Sequence, residues 1–377
     1  METTNQNRKI AAEMTIAGID LYNTGDVHGA LKLYLKAWSE LDPVGPADGL
    51  AALNVGVALE HLGDMDGAFT WARTAFELNP QDSRIRTFWG AVNIRSGNWL
   101  EAWKHWFPVI ENSFTGGGEE WKPGMDLTGK EVLVVPAGGM GDIFMLARYV
   151  PEVAKRFNCK VTFALTEDMV GAFITQPSMA NVNFRELRKF DVWMHLFHFP
   201  LLFQFTPEMV AADFHPYIQP IEMEGWEQDD IRIGIKLGAG EKGDAFKFRS
   251  VTGFAGEHLL GEIGSRKSVT LVALTQSNKL VHGWLDTIAL VSTCDLVLSA
   301  DTATLHLAGA MGKPAWALLG DFCDSKYGLG ETMPWYPTMR IFRGQGKGYQ
   351  YTVEQVIEAF DAWLLNSGGL KCHVATT

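Results

Sequence analysis

The chain has 377 residues, enough for two or three domains, and 47% of them are hydrophobic, so sizeable cores are available. Its formal net charge of −12 is spread over both halves, −5 in residues 1–115 and −7 in the rest, with no basic stripe suited to a polyphosphate backbone. No uncharged apolar run reaches the roughly 18 residues of a membrane span, the N-terminus METTNQNRKIAAEM lacks a basic-then-apolar leader, and the four cysteines (Cys159, Cys294, Cys323, Cys372) are dispersed, so a reduced, cytoplasmic protein without structural zinc is expected.

Three segments align with one another: Gly18 to Pro43, Gly56 to Pro80 and Gly90 to Ile110. Gly25, Gly63 and Gly97 recur at intervals of 38 and 34 residues, and Ala30, Ala68 and Ala102 follow five positions later each time. A glycine ends the first helix of each pair, the alanine lets the second approach closely, and Asp-Pro or Asn-Pro stops it. The longer first interval comes from a loop insertion in PVGPADG. Residues 11–112 resemble tetratricopeptide (TPR) repeats, whose hairpins bury their faces by stacking. Such arrays hold a peptide or partner in a groove; three repeats also suit a dimer surface or a brace for the next domain.

After the glycine-rich break SFTGGGEEWKPG the pattern becomes strands alternating with helices. EVLVV (131–135), KVTFAL (160–165), VNF (182–184) and VWMHL (192–196) read as buried strands, with one amphipathic helix from about Ile143 to Arg156. A second set comprises IRIGIKLG (231–238), SVTLVALTQ (268–276), LVLSA (296–300), PAWALLG (314–320) and MRIFR (339–343), with helices near 251–263, 286–294 and 302–312 and a closing helix from YTVEQVIEAFDAWLLNS. The alternation predicts parallel sheets. The expected architecture is therefore a repeat domain (1–115) followed by two Rossmann-like lobes (116–225 and 226–377), hinged near 218–230. Ligands of such sheets bind beyond the carboxyl ends of the strands.

Three stretches stand at those ends. In VPAGGMGDIF a strand empties into Gly138, Gly139 and Gly141, and a helix begins at Asp142; the spacing is not GxGxxG. Asp142 suits either a helix cap or a catalytic carboxylate. In SADTATLHLAGAMGKPAW, Asp301 is placed to cap the helix 302–312, Thr302 and His306 share a face one turn apart, and Gly309 and Gly312 keep the helix thin. Amides, a hydroxyl and an imidazole suit a diphosphate, although a cap and a packed histidine would explain them too. GAGEKGDAFKFRS carries Lys242, Lys247 and Arg249, either solvated or placed near a leaving phosphate. None of these three stretches carries a DxD pair or a His/Asp cluster suited to a divalent metal.

GGMGDIFMLARYVPEVAKR is similar to the first loop of bacterial ADP-heptose transferases. LDTIALVSTCDLVLSADTATLHLAGAMGKPAWALLG resembles their donor-site segment and that of TPR-linked proteins related to O-linked N-acetylglucosamine transferases, and MPWYPTMRIFR matches a further element of the latter. The resemblance covers about 210 residues and implies a GT-B glycosyltransferase fold. It implies that Asp142 is the catalytic aspartate and that Gly139, Gly141, Lys247, Arg249, Gln276, Asp301, Thr302, His306 and Gly309 bind the donor. Asp286 and Thr287 match a family Asp-Thr that reads as a cap. The reaction implied is a metal-independent, inverting displacement. It moves a sugar from a nucleotide sugar, UDP- or ADP-linked, to a hydroxyl of a protein, glycan or other acceptor. One stretch departs from the pattern: DFCDSKYGLGET replaces a Trp/Arg-rich segment, which leaves the donor sugar open. The alternatives are a catalytically silent scaffold and a GT-B nucleotide-sugar epimerase or hydrolase.

Overall fold

The computed structural model describes residues 2–41, 45–105, 117–184, 189–223, 230–238, 249–275, 278, 280–321 and 323–368. Contacts divide the chain into two units, residues 1–111 with 324–329, and residues 112–323 with 330–377.

The first unit is built from helical hairpins: α1 (Glu2–Thr24) with α2 (Val27–Ser39), α3 (Gly49–His61) with α4 (Met65–Leu78), and α5 (Ser83–Arg95) with the short α6 (Trp99–Ala102). Gly25, Gly63 and Gly97 end α1, α3 and α5 with φ of 95°, 82° and 80°, the left-handed region in which a side chain is strained. The next helix then starts at once. Asp26 and Asp64 cap α2 and α4 by accepting the amides of Gly29 and Gly67 at 2.8 and 2.9 Å. Ala30, Ala68 and Ala102 are fully buried where each pair crosses. A buried ion pair, Arg95 Nε to Glu60 Oε1 at 2.8 Å, joins α5 to α3. The expected long second helix of the third repeat is described only as far as α6 and the turn after it.

The second unit holds two sheets. One has five parallel strands, β1 (Glu119–Glu120), β2 (Glu131–Val135), β3 (Lys160–Phe163), β4 (Val182–Asn183) and β5 (Val192–His195), in the order β1-β5-β2-β3-β4. The other has β6 (Ile231–Lys236), β7 (Val269–Ala273), β8 (Leu296–Ser299), β9 (Ala315–Leu319), β10 (Thr332–Met333) and β11 (Tyr336–Arg343), in the order β10-β11-β9-β8-β6-β7. Of the strands among the described residues, only β10 is antiparallel to its neighbour. The fold is thus helical repeats followed by two Rossmann-like lobes of GT-B type.

Helices flank these strands. In the first lobe they are α7 (Met140–Ala147), α8 (Val150–Phe157), α9 (Glu167–Ile174), α10 (Phe199–Phe203) and α11 (Pro207–Ala212). In the second they are α12 (Gly253–Gly264), α13 (Trp284–Ser292), α14 (Ala303–Ala310) and α15 (Gly348–Gly368). The single helix expected over 143–156 is two. The break falls at Arg148–Tyr149, where Pro151 in the first turn of α8 supplies no amide to carry the α7 ladder onward. The second lobe's core runs from Ile233, Leu296 and Leu298 through Trp316 and Leu318 to Phe360 of α15. Between the lobes, the start of the connector is held to each lobe in turn: Gln219 N–H donates to Gln176 Oε1 of the first (2.7 Å) and Ile221 N–H to Ser292 Oγ of the second (2.9 Å).

Candidate functional site

The parallel register brings β2 and β8 to an end on the same side as the helices that follow them. Val135 pairs with His195 at the end of β2, and Lys236 with Ser299 at the end of β8. From β2 the chain turns through Gly138 (φ 75°) into α7. Helix α7 starts at Met140, two residues before the expected start, with Gly139 as its N-cap. Glycine has no side chain to cap with, so Asp142, three residues on, reaches back: its Oδ2 accepts the Gly139 amide at 2.8 Å. Gly138 is needed here, since a Cβ would strike the Asp142 carboxylate and Phe197.

The end of β8 departs from expectation in its cap. Thr302, not Asp301, is the N-cap of α14, and its side chain bonds none of the helix amides. Ser299 Oγ donates to Ala300 O at 2.8 Å, so at the 2.9 Å contact between Ser299 Oγ and Thr302 Oγ1 the threonine is the donor. With its hydroxyl turned to Ser299, the first turn of α14 is left without a side-chain cap, the condition that favours an anion there. Asp301 is drawn sideways instead. Its Oδ2 lies 2.8 Å from Arg249 Nε, and its backbone carbonyl accepts Arg249 Nη2 at 2.8 Å. A carboxylate only 3% exposed is stable there because a guanidinium meets it. Arg249 is thus bound to the turn it was expected to serve. Lys247 and Gln276 lie outside the described residues.

His306 joins the two ends. The ring is 1% exposed. Its Nε2 is 3.9 Å from Asp301 Oδ1 and its Nδ1 is 3.3 Å from the Tyr336 hydroxyl. A Cβ on Gly141 would sit 2.6 Å from His306 Cδ2, so the imidazole packs closely against the first turn of α7 and only glycine fits there. Gly309 does the same for Tyr336, whose ring would meet a Cβ at 2.5 Å. Asp142, Gly139, Gly141, Arg249, Asp301, Thr302, His306 and Gly309 therefore form one neighbourhood, with α7 of the first lobe against α14 of the second. Asp286 takes the His282 amide at 2.9 Å at the start of α13, a capping role, and Asp168 of α9 takes the Trp284 amide beside it at 3.0 Å.

A second polar cluster, not anticipated from sequence, stands at the end of β5. Glu120, His195 and His198 each bring a ligand-type atom within 4.8 Å of the others. The imidazoles stack with centroids 3.7 Å apart, and Trp121 packs edge-on against His198 at 5.3 Å. Burial pushes His195 down to about 4; burial, then the neighbouring His195, pushes His198 down to about 3. Both rings are neutral at pH 7. His198 Nδ1 accepts the His195 amide at 3.1 Å, which puts its proton on Nε2, the nitrogen 3.7 Å from Glu120 Oε1. A protonated nitrogen is no metal donor, so the trio offers two donors rather than three. The sequence signal was HLFHF after an apolar strand, a pattern equally typical of packing.

No protein-family model matches the chain. Protein FlbA from Caulobacter vibrioides is 23% identical over an alignment that takes in 89% of this chain and 64% of that protein, so the chain spans about two thirds or less of the length of this curated relative. Among solved structures, a glycosyl transferase family 9 protein from Veillonella parvula aligns with 64% of this chain and 99% of its own, at 15% identity and a TM-score of 0.44. The ADP-heptose lipopolysaccharide heptosyltransferase II of E. coli aligns with 63% of this chain and 99% of its own, at 14% identity and a TM-score of 0.38. The fold itself rests on the two strand orders described above. No helix among the described residues is long and apolar enough to cross a membrane.

Proposed function

We propose that the chain moves a sugar from a nucleotide-diphosphate sugar to an acceptor hydroxyl. The first-turn amides of α14 receive the diphosphate, and Asp142 takes the acceptor's proton. The observation that carries this reading is the apposition of Gly141 and His306, which sets the carboxylate-bearing start of α7 beside the uncapped start of α14. The acceptor oxygen attacks the anomeric carbon as the bond to the diphosphate breaks, with inversion; the proton passes to Asp142 and the negative charge to the departing diphosphate. Helix amides meet that charge, helped by Arg249 once it shares itself between Asp301 and the ligand. In this reading the reaction needs no divalent ion, and the repeats hold the acceptor or a partner protein.

A thermal-shift screen of UDP, ADP, GDP and CMP, followed by their sugars, tests the donor side. One diphosphate is expected to raise Tm, and Asp142→Ala is expected to keep that shift while transfer falls by about 10²–10⁴-fold, the usual scale of general-base action. The proposal fails if no nucleotide shifts Tm, or if Asp142→Ala transfers at the unmodified rate. Consumption of the sugar nucleotide with no acceptor requirement would replace it with the epimerase or hydrolase reading.

A further inference from the structure

Two pairs of helices meet across the lobe boundary, α7 with α14 and α9 with α13. Each of the four follows a parallel strand and so begins at the carboxyl edge of its sheet. Away from those starts, residues 217–221 of the connector gather all four. The amides of Tyr217 and Ile218 donate to Ala310 O, in the last residue of α14, at 3.0 and 3.4 Å, and the Tyr217 hydroxyl donates to Phe144 O of α7 at 2.6 Å. Gln219 holds Gln176, just past α9, and Ile221 holds Ser292, the last residue of α13. The connector thus fastens both lobes along one line away from the strand ends, which is where a hinge belongs.

At their starts, α9 and α13 are joined by a cap that crosses the boundary. The N-cap of α13 is Gly283, which has no side chain to offer, and Asp286 of the first turn reaches back to the His282 amide instead. The acceptor for the Trp284 amide comes from the other lobe: it is Asp168 Oδ1, at 3.0 Å. A Cβ at position 283 would stand 2.5 Å from that oxygen and push the carboxylate aside. Beside the bond, the Trp284 ring meets Phe144 edge-on with centroids 4.9 Å apart, and Leu285 Cδ1 would lie 3.4 Å from a Cβ on Gly171 of α9. Phe144 stands two residues past Asp142 on the same helix. We propose that Asp168 is a clasp between the lobes: it completes α13 only while they are together, so that closing the cleft and capping α13 are one event. Through Trp284 and Phe144 the clasp bears on the helix that carries Asp142. It stands on the hydrogen bond and the packing; its effect on a bound nucleotide rests on the transfer reading above.

Hydrogen exchange followed by mass spectrometry reads the clasp with no ligand present. Loss of a cap is worth about fivefold in an equilibrium. In Asp168→Ala, exchange is expected to rise by that factor in peptides covering 138–144 and 301–307 as well as in 283–288. Asp168→Asn, which keeps an oxygen acceptor, is expected to stay close to the unmodified protein. A rise confined to 283–288 is the loss of a local cap and overturns the proposal. Asp168→Cys combined with Gly283→Cys gives a second arm, because a Cβ at 283 lies 3.6 Å from Asp168 Cγ, the place a cysteine sulfur would take. The pair is expected to oxidise, and the oxidised form to exchange more slowly at 138–144 and 301–307 than the same protein reduced. Failure to oxidise, or equal exchange in the two forms, overturns the clasp. Each single cysteine variant checks that the new bond is not made to a native cysteine, and unchanged far-UV circular dichroism establishes folding. A nucleoside diphosphate found in the thermal-shift screen is expected to leave the oxidised form more slowly than the reduced one by at least the same factor. Equal release rates overturn the link between clasp and cleft. If exchange behaves as stated and no nucleotide binds, the clasp stands and the transfer reading falls.

Discussion

His195 and His198 show how two residues at the end of one strand can make a fold acid-sensitive. Their folded pKa values, about 4 and about 3, lie below the ordinary histidine value because burial disfavours the charged ring. Above pH 6.5 both are neutral in the folded and the unfolded chain, and pH has no grip through them. Below it the unfolded chain takes up protons that the folded chain refuses, so stability falls as pH drops from about 6.5 toward 4. At about 1.4 kcal/mol per pKa unit, His195 alone accounts for a loss on the order of 3 kcal/mol across that window. Urea midpoints measured at pH 7, 5.5 and 4.5 should therefore fall less steeply in His195→Gln than in the unmodified protein. Parallel curves would mean that solvent reaches the ring and that its titration is ordinary.

At the scale of the element, the repeats were legible because each signal is local. A glycine needed for a left-handed turn and an alanine needed for a close crossing recur in register, and Gly63 and Ala68 do what their spacing implies. Gly63→Ala should cost about 1 kcal/mol through the strained turn, whereas Ala68→Leu should cost about 1–3 kcal/mol through overpacking of a fully buried position. Two urea melts followed at 222 nm measure both, and a neutral Ala68→Leu would show that α3 and α4 can separate. The strands were legible for the same reason: LVLS and EVLVV are apolar runs of strand length. The α7–α8 break was hidden because an amphipathic pattern continues across Pro151, which is tolerated in a first turn and so punctuates without disturbing the period. Within the site, Asp142 and His306 were visible as polar residues at strand ends. That Asp301 would leave the cap to Thr302 was not, since the cause is Arg249, which comes from a different strand end and is 52 residues away in sequence.

Over the whole molecule, the helical unit is not one continuous piece of chain. After Cys323 the backbone contributes Asp324–Leu329 to it and then returns at Gly330. Ser325–Tyr327 forms a single 3-10 turn packed on α5, started by Asp324, whose carboxylate takes the Lys326 amide at 3.0 Å. Tyr327 is fully buried and Lys326 nearly so. The Asp324 charge reaches Glu60 of α3, whose pKa is raised by burial first and by Asp324 in addition, with Arg95 acting against both. Six residues remote from the repeats in sequence thus complete their packing. Replacing Tyr327 with Ala should cost about 3–5 kcal/mol, the usual range for removing a buried aromatic ring, and the loss should fall on the helical unit. Hydrogen exchange locates it: amides of α5 should exchange faster in Tyr327→Ala, while those of β8 and β9 stay protected. For the same reason residues 1–111 expressed alone should melt below the helical unit of the full chain, and a fragment as stable as the intact protein would show that the turn at 325–327 is a passenger on α5 and contributes nothing to it.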